Sequence, residues 1–213
     1  MKNLILGLLL ITCSQVQAQT SVNYNTSPGV ATLQTTLFNN ESVQGSVYLF
    51  ENWDNSARIY SDGGGIIDIE NINFNVQNAK FSSKIAKDSI FTFYKIYKVE
   101  VNGKHFERVN NKIYEVLYTF DDKSMFLKEY SVKVEPELHI ITSTVIGPGK
   151  YVIEDKFYIF KNNKLDKFWL SKKNTLKMLS SQKQLILKHS KNNKLSYSKE
   201  NDIVEIFKYY DSL

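Results

Sequence analysis

The chain has 213 residues, of which 42% are hydrophobic, 13% aromatic and 23% charged, with 9 Gly, 3 Pro, 1 Cys and a formal net charge of +5. Those proportions exclude a collagen, a disulfide scaffold and a disordered tail, and a chain this long buries roughly 70% of its unfolded surface, enough for one core. Arg58 and Arg108 are the only arginines among 27 basic residues, which weighs against bidentate phosphate recognition.

Residues 1–18 read as a secretory signal peptide. Lys2 supplies a basic start, Leu4 to Cys13 an apolar stretch, and Val16-Gln17-Ala18 a cleavage tripeptide before Gln19. The stretch is too short to cross a bilayer, and no later one reaches the ~20 apolar residues of a transmembrane helix. Cleavage there implies a periplasmic or extracellular protein. It also removes the only Cys, and with it disulfides, thiolate metal sites and thiol catalysis. The alternative is a lipoprotein anchored through Cys13, but Thr12 precedes it where such signals take Gly, Ala or Ser.

From about residue 31 to 170 the apolar residues recur with period two, the strand signature. Strands are expected at 44–50, 57–61, 80–85, 89–101, 104–109, 112–120, 124–134, 137–145, 151–160 and 164–170. In Asn71 to Gln77, Ile72, Phe74 and Val76 share one face and amides the other. Ile67 and Ile69 hold the opposite parity, so the phase flip at Glu70-Asn71 predicts a bulge or turn. Asn102-Gly103 is a strong hairpin signal because both central residues of that turn need positive φ, and Asn110-Asn111, Asp121-Asp122 and Asn162-Asn163 are weaker versions. Asp62-Gly63-Gly64-Gly65 reads as a hairpin loop and Gly147-Pro148-Gly149-Lys150 as a turn between strands. Connections this short exclude parallel crossovers and predict a mainly β fold. We expect an antiparallel meander at 19–170 that forms a curved sheet, barrel or sandwich.

After Leu170 the period changes. Ser171, Ser181 and Ser198 are expected to start three short helices, the last with Glu200 and Asp202 in its first turn and Ile203, Phe207 and Tyr210 on one stripe. Residues 171–213 are therefore expected to form a helical tail of the same domain, packed on the sheet over an edge or open end. Residues 161–199 hold eleven Lys and one acid, Asp166, a local balance of +10. Such a stretch is either a solvated face or an electrostatic dock for an acidic partner or an anionic membrane surface; without Arg it does not read as a nucleic-acid site.

The signal peptide, the Gly45-Ser46-Val47-Tyr48-Leu49-Phe50 run followed by Trp53, and the Lys-rich ending with Asn193-Lys194-Leu195 and Tyr209-Tyr210-Asp211 resemble the small exported β-rich proteins of flavobacteria and related Bacteroidetes. The resemblance implies a bacterial envelope address and assigns no activity, cofactor or functional residue.

Motifs for catalysis are missing. His105, His139 and His189 lack zinc-ligand spacing, no Gly-x-Ser-x-Gly elbow nominates a nucleophile, and Gly147-Pro148-Gly149-Lys150 does not match a phosphate loop. The carboxylate pairs Asp121-Asp122 and Glu154-Asp155 fall at expected turns. The aromatic content stands out, with Tyr48 and Phe50, Tyr114 and Tyr118, and Tyr158 and Phe160 on strands apolar on both faces. These fill a core or form a platform for a glycan, a lipid or a protein partner; Tyr48, Trp53 and Trp169 are the candidate contact residues. The sequence thus reads as an exported, non-enzymatic binding or assembly module without a cofactor. The alternatives are a carrier of an apolar ligand with the helices as a lid, and a hydrolase with carboxylates from distant strands.

Overall fold

The computed structural model describes residues 31–34, 43–87 and 89–213; the signal peptide, its cleavage site and Cys13 lie outside them. The elements are strands β1 (Ala31–Gln34), β2 (Ala57–Ser61), β3 (Ile66–Ile69), β4 (Ile72–Asn75), β5 (Lys80–Ala86), β6 (Ser89–Phe93), β7 (Ile96–Val101), β8 (Lys104–Val109), β9 (Lys112–Thr119), β10 (Met125–Leu138), β11 (Val145–Lys161) and β12 (Lys164–Phe168). Helices α1 (Lys172–Met178), α2 (Lys183–Asn192) and α3 (Glu200–Asp211) follow. The fold is mainly β and antiparallel, as the alternation predicts. One open eight-stranded sheet runs β12-β11-β10-β9-β8-β7-β2-β3, and a four-stranded sheet runs β1-β6-β5-β4.

The hairpin turns follow from their asparagines. Asn102-Gly103 (φ 51° and 72°), Asn110-Asn111 (49° and 66°) and Asn162-Asn163 (50° and 60°) each place both central residues in the left-handed region, so the Asn-Asn pairs make the same kind of turn as Asn-Gly. Asp62 to Gly65 closes the β2–β3 hairpin, with Ser61 N–H donating to the Gly65 carbonyl at 2.9 Å.

At Glu70-Asn71 the phase flip is a change of sheet. Asn71 turns with φ 54°, and the chain leaves the large sheet at β3 to enter the small one at β4. It returns between β6 and β7, so the single strand expected at 89–101 is two strands in different sheets. The β4–β5–β6 meander thereby folds over the β2–β7–β8 part of the large sheet. Ile72, Phe74, Val76, Phe81 and Phe93 there meet Ile59, Val99 and Phe106. The run at 44–50 is not a strand. Gly45 takes φ 86°, and the segment makes only isolated bridges: Gln44 meets Lys150 of β11, and Tyr48 meets Asn75 on the free edge of β4.

A larger correction concerns the long hairpin. The strands expected at 124–134, 137–145 and 151–160 are two, β10 and β11, and the reversal lies at His139 to Thr144, where Ser143 has φ 54°. Gly147-Pro148-Gly149 is inside β11, opposite a register shift between Glu135 and Glu137. Pro148 lacks an N–H and Gly149 takes φ 86°, so this segment makes a bulge that bends the ribbon without ending it. Glu154 and Asp155 are also mid-strand, paired with Ser131 and Tyr130, and are not a turn.

The helical tail packs on the far end of the large sheet. Ile186, Ile203, Ile206 and Phe207 are fully buried against Phe120, Phe126 and Phe168. Ser171 caps α1, its hydroxyl accepting from Asn174 N–H at 3.3 Å. The other two serines are not caps. A short turn of 3-10 helix at Ser180–Gln182 precedes α2, whose cap is Gln182, and α3 starts after Lys199. On the α3 stripe Ile203 and Phe207 are buried together with Ile206, and Tyr210 is half-buried.

Candidate binding surfaces

The three aromatic candidates do not come together. The rings of Tyr48 and Trp53 sit 4.6 Å apart on the small-sheet side, with Lys84 Nζ 6.0 Å from the Trp53 ring, and burial pushes the Tyr48 phenol up. This segment is held by two buried amides, Asn73 from the amide face of β4 and Asn55. Asn73, 1% exposed, accepts from Phe50 N–H and donates to the carbonyls of Phe50 and Asn52, while Asn55 donates to the carbonyls of Asn52 and Ile72. Trp169 lies at the opposite end of the large sheet, 61% exposed, with Lys167 Nζ 3.9 Å from its ring centroid. The histidines are likewise scattered. His105 is 3.6 Å from Glu100, His139 sits in the β10–β11 turn, and His189 stacks on Tyr209 at 3.8 Å. Among the described residues no group of three or more His, Cys, Asp or Glu is arranged to hold a metal ion.

A charged seam that sequence reasoning misses runs between the two covers of the large sheet. Val99, Phe106, Glu115, Lys128, Phe157 and Phe168 form one cross-strand row on one face. Val99 and Phe106 lie under the small sheet, Phe157 and Phe168 under the helices, and Glu115 and Lys128 fall between. Lys128 Nζ reaches Glu115 Oε2 at 3.2 Å and Glu200 Oε2, in the first turn of α3, at 2.8 Å. Glu115 also accepts from Lys104 Nζ at 2.7 Å and from the Tyr130 hydroxyl.

Burial pushes the Glu115 carboxyl up, but the hydrogen bonds from Lys104 and Tyr130 and the charge on Lys128 outweigh it and hold the group below the ordinary carboxylate range. Burial likewise works against the Lys128 ammonium, yet Glu200 and Glu115 leave it above its ordinary value. Burial and Glu115 push the Tyr130 phenol up. Each group is held in its resting charge state, the opposite of a general acid or base poised near neutrality.

The aromatic platform on the reverse face is partly filled by itself. Tyr114, Leu127 and Val109 are buried there, with Tyr158 and Phe160 half-buried beside them. Burial and Glu129 push the Tyr158 phenol up to about 12.

Among the described residues, two features stand open to solvent as extended surfaces. The first is the β10–β11 hairpin, which extends past the sheet as a two-stranded arm. No Asp, Glu, Lys or Arg occurs from Leu138 to Gly149, and Ile140 and Ile141 at its apex are 98% and 86% exposed, with Leu138, Val145 and Ile146 exposed below them. The second is a trough between α1 and α2, rimmed by Lys172, Lys173, Lys177 and Lys183 over Leu176 and Leu187. No helix of the described residues is long and apolar enough to cross a membrane. Comparison with family models, with curated proteins and with solved structures finds no match to this chain.

Proposed function

We propose that this chain is an exported, non-enzymatic binding or assembly module of the bacterial envelope that engages a partner through the β10–β11 arm. The observation that carries the reading is the arm's tip, where the uncharged run from Leu138 to Gly149 exposes Ile140 and Ile141 at the end of a continuous antiparallel ribbon. Monomeric proteins seldom leave a contiguous apolar patch without a use for it. The turn closes on itself, with His139 N–H donating to the Thr144 carbonyl and Ser143 N–H to the His139 carbonyl, both at 2.9 Å, so the exposed isoleucines sit on a formed element.

The packed interface between α2, α3 and the sheet favours this reading over a carrier whose helices act as a lid, since Phe126, Ile186, Ile203 and Phe207 occupy the space such a ligand would need. The engaged state of Glu115, Lys128 and Glu200 favours it over hydrolysis. The test is a photo-crosslinking residue placed at Ile141 in the exporting cell. A discrete adduct is expected there, lost with Ile140→Ser, and none at the exposed Ile66 in the β2–β3 hairpin. No adduct at Ile141, or substrate turnover abolished by a point variant, would refute the proposal.

A further inference from the structure

We propose that the trough between α1 and α2 docks the protein onto an anionic phospholipid surface, with the exposed Trp169 just ahead of α1 entering the headgroup layer. The surface lies at the other end of the β10–β11 ribbon from the arm. Three observations carry the inference. Nine lysines lie between Lys167 and Lys199 without one Asp or Glu among them, and none forms an ion pair among the described residues. The lysines of β7 to β10 differ, and Lys98 on β7 sits 2.8 Å from Glu100. Lys104, Lys112, Lys128 and Lys133 each lie within ion-pair distance of a carboxylate.

The trough is also amphipathic. Leu176 and Leu187 form its floor beneath Lys172, Lys173, Lys177 and Lys183. Trp169 completes the pattern, three residues before Lys172, with its ring exposed and an ammonium beside it. A tryptophan with one wet end prefers the boundary between water and hydrocarbon. Lysines on long apolar stems meet a diffuse layer of phosphates while their stems cover the leucines. A nucleic acid would call for arginine forks or several exposed stacking rings; residues 161–199 carry no Arg, Phe168 is buried and Tyr197 half-buried, and Trp169 alone stands out.

The test uses the protein recovered after export from a bacterial host, mixed with vesicles of phosphatidylcholine alone or of phosphatidylcholine with phosphatidylglycerol. Flotation should recover it with the anionic vesicles only, and high salt should release it, because exposed charges are screened. Each lysine near such a surface changes partition about five-fold, so replacing Lys172, Lys173, Lys177 and Lys183 by Gln should weaken binding by roughly two to three orders of magnitude. The same loss of charge through Lys84→Gln, Lys87→Gln, Lys95→Gln and Lys150→Gln should leave most of it.

In a Trp53→Phe background the remaining fluorescence is that of Trp169, and it should shift to the blue on anionic vesicles. An unchanged unfolding midpoint confirms that the lysine variants are folded. Equal partition onto both vesicles, equal loss in the two lysine sets, an unshifted Trp169, or capture by a DNA oligonucleotide without capture by vesicles would each overturn the proposal.

Discussion

Replacing Lys128 by Met tests whether the seam between the two covers is a closed electrostatic unit. The Lys128 side chain is 6% exposed, that of Glu115 also 6%, and Glu200 is largely covered. The substitution keeps most of the buried stem and removes the ammonium, leaving Glu115 with Lys104 and Tyr130 alone and Glu200 without its cation. Stranding a buried charge in this way costs about 3–5 kcal/mol, whereas replacing both partners with neutral groups of similar volume is often close to neutral. Urea unfolding followed by circular dichroism should therefore show a loss of about that size for Lys128→Met and a smaller one for Lys128→Met combined with Glu115→Gln.

The pH dependence has a definite sign. The folded Glu115 carboxyl lies below its unfolded value, so it contributes stability above the ordinary carboxylate range that disappears as pH falls through the lowered folded value. Lys128→Met weakens that lowering. The gap between wild type and variant should then narrow on acidification through the carboxylate range. A loss under about 1 kcal/mol, or a gap that widens at low pH, would refute the reading of the seam as a mutually compensating set.

Two further substitutions test the tail and the arm. Phe207 is fully buried, its ring centroid 4.9 Å from that of Phe120 and 5.2 Å from that of Phe126, and Phe207→Ala should cost about 3–5 kcal/mol while wild type and variant each unfold in one transition. Separate transitions for the sheet and for Trp169 fluorescence would show that the tail is an independent unit. A side chain on Gly149, at φ 86°, would run into the Glu135 carbonyl, so Gly149→Ala should lower amide-exchange protection along residues 134–150 and leave β7, β8 and β9 protected. Loss of protection across the whole sheet would contradict an arm that bends locally.

What the sequence discloses about this fold is local. The Asn102-Gly103, Asn110-Asn111 and Asn162-Asn163 turns are legible because their conformation depends on residues that tolerate positive φ, wherever the rest of the chain lies. Gly147-Pro148-Gly149 is misread for the same reason, since nothing local separates a turn from a bulge when the true reversal falls on Ser143. The burial of Asn73 is out of reach, because it depends on Phe50 and Asn52, more than twenty residues away, lying across it. The seam leaves a trace that could be read. Phe126, Tyr130 and Val132 share a face of β10, and Lys128 interrupts that row just as Glu115 follows Ile113 on β9. A polar residue in an apolar row is a stronger pointer to a buried network than any spacing of histidines.

The organisation of the molecule is written along β10. Its fourteen residues span about 45 Å at the rise of an extended strand. Phe126 meets α3, Lys128 holds the seam, Tyr130 and Val132 reach the small-sheet core, and the remainder leaves the body as the arm. Because antiparallel partners share a face, β9 and β11 repeat this order and neither cover can slide toward the other without stranding Glu115 or Lys128 between apolar side chains. The seam therefore fixes where each cover stops. It leaves the basic trough at one end of the β10–β11 ribbon and the apolar apex at the other, an arrangement that would serve two docking events on opposite sides of one body.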